Sequence, residues 1–212
     1  MYYILQGKYD AALQQLEGMK TSGASPAEVE NLRGLALLLD GKPDDAIVSF
    51  DRALALEPSL EAARLNRGMA LLRKGENAAA TAEFQTVFAI ESSPLRATAA
   101  YHNGIALERL GRLQDAETWL ERVRALDQEM DAALLYLGFL RERRGDLQGA
   151  GRAYFDYLAA HPDSTLAMLR FGLTAHKAGR ADVAKTYLSQ VVAAAPSSYE
   201  GLEARKFLVM WE

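Results

Sequence analysis

Three histidines, His102, His161 and His176, are the imidazoles this sequence offers. No two stand three or four residues apart, the spacing that sets two metal ligands side by side on a helix. Asp44 and Asp45 are neighbouring carboxylates. Adjacent helical residues point about 100° apart, so the pair suits a helix start rather than acid/base chemistry. With no cysteine there is no thiolate nucleophile, disulfide or cysteine-ligated metal, and the compartment is left open, cytoplasmic or periplasmic. No serine sits on a recognisable strand-to-helix elbow, and no strand is expected ahead of any glycine, so no phosphate-cradling loop is formed. The chain reads as non-enzymatic, with no catalytic, metal or cofactor residues.

The elements behind these residues follow a period. Gly7, Gly41, Gly75, Gly111, Gly145 and Gly179 are separated by 34, 34, 36, 34 and 34 residues. Five residues after each comes an alanine (Ala12, Ala46, Ala80, Ala116, Ala150, Ala184), and four further on Leu16, Phe50, Phe84, Leu120, Tyr154 or Leu188. A second series, Gly34, Gly68, Gly104, Gly138 and Gly172, precedes five of those turns by seven residues. Such a period marks one supersecondary unit, copied, with its core built repeat against repeat.

Within the module from Ala27 to Leu60, Val29, Leu32, Ala36 and Leu39 recur at helical spacing, Asp40-Gly41-Lys42-Pro43 interrupts, and Ala46, Ile47, Phe50, Ala53 and Leu54 resume. The pattern predicts helix, tight turn, helix. Gly41 suits a left-handed helix end and Pro43-Asp44-Asp45 the start of the next helix. The second glycine series lies inside the first helix, where glycine costs about 0.5–1 kcal/mol against alanine. Close helix approach offsets that, with Gly104 or Gly138 expected to meet Ala116 or Ala150.

On these residues the chain resembles the tetratricopeptide repeat family over essentially its whole length. Gly34, Ala36, Ala46, Phe50, Ala53 and Pro58 fill the family's slots, and Pro162 and Pro196 close later modules. Ser92, Gln128 and Ala24 stand in the proline slot, and Arg33 and Arg67 replace the apolar residue before the glycine. The resemblance implies an all-α, right-handed superhelical solenoid over 1–212. A partial first repeat is expected over 1–26, full repeats over 27–60, 61–96, 97–130, 131–164 and 165–198, and a C-terminal capping helix over 199–212. In that helix, from about Tyr199 to Trp211, Leu202, Phe207 and Leu208 are expected to cover the last repeat while Glu200, Glu203 and Arg205 meet water. The opening helix, Met1 to Gln6, reads as the second half of a helix, so residues upstream of Met1 are expected in the natural protein.

The family resemblance also implies a concave groove, lined by the first helix of each pair, with ligand contacts at fixed offsets from the interior glycine. One residue after it stand Leu35, Met69, Ile105, Phe139 and Leu173. Three before it stand Asn31, Leu65, Tyr101, Leu135 and Leu169, and four after it Leu38 and Leu72, then Glu108, Glu142 and His176. Arg73, Arg109, Arg143 and Lys177 form a basic rail five residues after the glycine, where the second module has Leu39. The groove implied is an apolar stripe for a peptide or amphipathic helix of another protein, its carboxylates met by the rail. The carboxylate clamp of the family's chaperone co-factors is not matched: its slots hold Asn31, Leu35, Asn66, Thr98 and His102, of which Asn66 alone agrees.

A narrower likeness is to the six-repeat pilotin lipoproteins that help type IV pilus secretins assemble. It rests on the 36-residue step with Ser92-Ser93-Pro94-Leu95-Arg96, on Arg152 and Tyr154, and on Pro196-Ser197-Ser198-Tyr199-Glu200. It implies a periplasmic site, an upstream lipidated cysteine and a secretin partner. A net charge of −4, from 24 basic and 28 acidic residues, supplies no field for nucleic acid, and no apolar run approaches the roughly 18 residues of a membrane span. A self-associating homo-oligomeric array and a regulatory domain of a larger protein are the competing classes.

Overall fold

A computed structural model describes residues 3, 6–19, 23 and 25–210. The described residues form twelve helices and no strand. These are α1 (Tyr9–Met19), α2 (Pro26–Leu39), α3 (Pro43–Leu56), α4 (Glu61–Lys74), α5 (Asn77–Phe88), α6 (Arg96–Arg109), α7 (Leu113–Leu126), α8 (Ala132–Arg144), α9 (Leu147–Ala160), α10 (Thr165–Lys177), α11 (Ala181–Ala194) and α12 (Tyr199–Val209). Met1, Tyr2, Ile4 and Leu5 of the expected opening helix, Ala24 of the proline slot and Trp211 of the last helix lie outside the described residues.

The six turn glycines all have positive φ, from +69° at Gly7 to +90° at Gly75. At Gly75 the Schellman pattern is complete. Its N–H bonds to the Leu72 carbonyl at 3.2 Å and the Glu76 N–H to that of Leu71 at 2.9 Å, so the last carbonyls of α4 are satisfied as the chain reverses. Helix starts are more varied. Ser25, Asp146, Ser164 and Ser198 cap with their side chains, whereas α3 starts at Pro43 with no side-chain cap. Asp44 and Asp45 occupy its first turn, and Asp44 is ion-paired to Lys74 at 2.8 Å.

The helices gather into two compact units, Met1–Trp119 and Leu120–Glu212. In the first, α1 to α6 pack each on the next, and α2 meets α4 as α4 meets α6. Phe50 is buried with Leu38, Ala46 and Ala70, and Phe84 with Leu65, Leu72, Val87 and Ala99. The lengthened module is tied down inside this unit. Buried Ser93 donates to Glu61 and accepts from the Leu95 N–H, and Arg96 donates to the Phe88 carbonyl. In the second unit α8 to α12 pack successively and α10 also meets α12. Tyr154 is buried with Ala150, Leu158 and Ala167, and Leu188 with Leu169, Val191 and Ala204.

Two expectations are corrected by this packing. Gly34, Gly68, Gly138 and Gly172 face the large residue of the second helix, not the alanine. A Cβ on Gly34 would lie 2.5 Å from the Phe50 ring and one on Gly68 2.6 Å from Phe84, while Gly138 faces Tyr154 and Gly172 faces Leu188. The ring, with more volume than a methyl group, fills the space the missing side chain leaves. In α12 the buried positions are Gly201 and Ala204, with Phe207 and Leu208 half-buried, and Leu202 is exposed. A Cβ on Gly201 would collide with the Ala195 carbonyl, so α12 docks through its smallest residue and turns Leu202, one step round the helix, to solvent.

Candidate functional site

The residues one after the interior glycine share one environment. Leu35, Met69 and Ile105 in the first unit, and Phe139 and Leu173 in the second, are all half-buried. Met69 and Ile105 rest one side against the Phe84 cluster. Tyr101 and Leu135 are half-buried as well. Leu38, Leu65, Leu72 and Leu169 are not available to a ligand. They are 2–6% exposed and belong to the cores around Phe50, Phe84 and Leu188. They sit on the flank of the first helix that faces the second helices, which is why the expected broad stripe contracts to a single row.

The basic rail is also reassigned. Arg73 donates through Nη1 to the Leu38 carbonyl at 2.8 Å, and Arg109 to the Leu72 carbonyl at 2.7 Å. Each arginine reaches back to the last turn of the preceding first helix, where carbonyls carry the negative end of the dipole. Lys177 is instead paired with Glu142 at 2.5 Å. Arg143 lies over the Phe139 ring, its guanidinium carbon 5.7 Å from the centroid.

The sequence-derived residues converge best in the second unit. Phe139, Glu142, Arg143, Arg170 and Lys177 line a cleft of about 130 Å³ between α8 and α10. Arg170, which no offset singled out, faces Phe139 at 5.9 Å, so two guanidinium groups contact one ring. Tyr136 extends the aromatic surface, 5.7 Å from Phe139 between centroids. Glu142 forms the floor. Its side chain is 8% exposed and takes Lys177 on one oxygen and, on the other, the Tyr154 hydroxyl at 3.2 Å and Arg170 at 3.8 Å. Burial first, then the nearby Glu142 carboxylate, holds the Tyr154 hydroxyl protonated well above the usual phenol range. Tyr154, buried beneath Gly138, is a structural residue.

The remaining polar groups are structural. Asn66 donates to Asn31 at 2.9 Å, linking α4 to α2. His161 contacts Asp131 at 2.9 Å, His176 is exposed, and His102 stacks on Phe84 at 5.6 Å. Among the described residues no group of three His, Asp or Glu side chains could hold a metal ion, and no helix is long and apolar enough to cross a membrane.

Comparison with known structures places the fold. A crystal structure of PilW, described as a widely conserved type IV pilus biogenesis factor, superposes with a TM-score of 0.88 over 96% of this chain and 93% of its own, at 24% identity. The Pseudomonas aeruginosa pilF structure gives 0.82 over 96% and 92%, at 17% identity. YrrB, described as a TPR protein with an unusual peptide-binding site, gives 0.70 over 92% and 100%, at 19% identity. Comparison with curated proteins gives no match. The tetratricopeptide repeat pattern matches residues 2–61, 31–87 and 65–131, and a second form of it matches 132–164 and 166–198. With helix pairs repeating along the chain and the family pattern over most of its length, the chain belongs to the tetratricopeptide repeat family, a class of helical solenoids that act as protein-interaction scaffolds.

Proposed function

We propose that the chain holds a peptide or helical segment of a partner protein on its first-helix face, with Phe139 as apolar anchor and Arg143, Arg170 and Lys177 as guides for acidic residues. The observation that carries this reading is the Phe139 cleft. A half-buried aromatic ring lies under two guanidinium groups, and one buried carboxylate, Glu142, is shared by the two cations Arg170 and Lys177. A partner side chain stacking on Phe139 would bury apolar area while its acidic neighbours meet the cations. In the first unit, Leu35, Met69 and Ile105 continue the same offset with apolar character.

The likeness to PilW over nearly the whole of both chains, together with the 36-residue module, supports a pilotin-like role in assembling a type IV pilus secretin. Deletion of the gene, followed by measurement of secretin multimers on immunoblots, tests that role. Multimers should be lost, then restored by the parent chain but not by a Met69→Glu, Phe139→Glu variant that keeps its circular dichroism. Normal multimers in the deletion strain would overturn the pilotin role, and full rescue by the variant would overturn the assignment to this face.

A further inference from the structure

A second pocket, of about 640 Å³, shares no residue with the Phe139 cleft and lies in the second unit among α9, α10 and α11. Its origin is visible in the repeat register. In the first unit the position before the interior glycine is Arg67, which bridges Asp51 on the preceding second helix at 2.7 Å and Glu83 on its own second helix at 2.5 Å. One module earlier Arg33 meets Glu17 at 3.7 Å. These ion pairs close the seam between repeats. Three modules further along, the slots of Asp51, Arg67 and Glu83 hold Phe155, Phe171 and Tyr187. Their rings are in contact, Phe155 with Phe171 at 6.0 Å and Phe171 with Tyr187 at 4.7 Å.

The space beside these rings is opened by Gly151, which stands in the slot of Ile47, a residue that packs on the Phe50 cluster. A Cβ at Gly151 would meet nothing nearer than Phe171 at 3.7 Å. Thr174, 1% exposed, is among the lining residues, and its buried hydroxyl has no hydrogen-bond partner, although a helical threonine commonly bonds back to the preceding turn. Arg152 and Arg180 line it too, exposed and with no ion-pair partner among the described residues. Phe155 is 55% exposed. An apolar cavity flanked by two uncompensated cations is complementary to an apolar side chain flanked by carboxylates.

We propose that this pocket binds an acidic peptide segment of a partner protein through one large apolar side chain, which packs on Phe171 and Tyr187 while neighbouring carboxylates meet Arg152 and Arg180. The site is separate from the first-helix face and gives the chain a second, independent protein-binding surface.

The test is fluorescence anisotropy with a labelled library of twelve-residue peptides having a fixed central Phe, Leu or Ala and flanks of Asp/Glu, Gln or Lys. Peptides with central Phe or Leu and acidic flanks should bind best. Gly151→Ile, which refills the cavity as Ile47 does one unit earlier, should weaken them at least tenfold with an unchanged or raised melting temperature. Arg152→Gln and Arg180→Gln should each weaken them about threefold, with the parent and every variant carrying Phe139→Glu so that the first-helix cleft does not compete for acidic peptides. Three results would overturn the proposal. They are no preference among the peptides, binding that survives Gly151→Ile, and a monomer–dimer equilibrium in the parent that Gly151→Ile abolishes, which would make a second copy of the chain the occupant.

Discussion

The guanidinium of Arg109 donates to the carbonyl oxygen of Leu72 at 2.7 Å, linking α6 to the end of α4, and Arg73 repeats the arrangement from α4 to α2. The acceptor is already part of a helix-end motif, taking the Gly75 N–H, so the arginine adds charge to a bond at the negative end of the dipole. These side chains therefore join repeats.

Loss of that bond should appear in stability. Arg109→Ala should lower unfolding free energy by about 1.5 kcal/mol, the low end of the range for a hydrogen bond with one charged partner, because the arginine is exposed. Arg109→Lys should recover part of it, since an ammonium lacks the fork that fixes the arginine. Urea titration of the three proteins checks this; equal midpoints would show that the bond contributes nothing.

The close approach of Gly34 to Phe50 makes a different prediction. Alanine at position 34 would gain up to about 1 kcal/mol of helix propensity, but its methyl would lie 2.5 Å from a ring that is fully buried and cannot move aside. Overpacking of this kind costs about 1–3 kcal/mol, so Gly34→Ala should destabilise on balance. At Gly172 the opposing atoms belong to Leu188, at 3.0 Å, and the same change there should cost less. Thermal melts of both variants decide it, and an equal or larger loss at Gly172 would contradict the ring's role.

How the sequence led to this fold is clearest at these glycines. Positive φ at Gly41, Gly75 and Gly145 follows from their place between two periodic runs, because a helix that must reverse in two or three residues needs a left-handed end. The partner of an interior glycine was harder to read. Ala46 and Phe50 are one turn apart on the same face of α3, and only side-chain volume decides which occupies the gap beside Gly34. Leu38 and Leu72 fall on the apolar face of their helices, and the wheel of a single helix does not tell the face turned to a neighbouring helix from the open one. The bonds of Arg73 and Arg109 are hidden for another reason. Their side chains bridge to carbonyls 35 and 37 residues away, beyond the reach of any local pattern. The signal for the second pocket was present in the change from Arg67 to Phe171 at equivalent positions, and it gained meaning once Asp51 and Glu83 were seen to hold that arginine.

Glu142 should behave as the hub of its cleft. Removing both cations, in Arg170→Ala, Lys177→Ala, leaves a carboxylate that is 8% exposed and holds the Tyr154 hydroxyl. A buried charge left without partners is costly. Because Arg170 and Lys177 are 40% and 54% exposed, the loss should be moderate, about 1–3 kcal/mol. Glu142→Gln keeps an acceptor for Tyr154 and frees both cations to water, so it should cost less than the double variant. Chemical denaturation of both ranks them, and the reverse order would show that the cations, not the carboxylate, depend on the pairing.

His102 supplies a pH signature with a definite sign. Burial lowers its pKa below the ordinary imidazole value, its Nδ1 has no hydrogen-bond partner, and its ring stacks on Phe84. The folded chain therefore holds His102 neutral. The unfolded chain, with a pKa of about 6.5, binds a proton more readily, so unfolding takes up protons on the acid side of neutrality and stability falls as pH drops through that value. The contribution is complete above pH 6.5 and is lost progressively below it. Phenylalanine at position 102 preserves a stacking ring and cannot titrate, so the stability of His102→Phe relative to the parent should be constant at pH 7.5–8 and rise steadily as the pH is taken to 5. Comparing the pair at each pH cancels the contributions of every other group, which both proteins retain. Urea unfolding across that range measures the difference directly, and a difference that stays flat, or that moves in the parent's favour with acid, would mean that the folded state accommodates the charged imidazole and that burial does not control it.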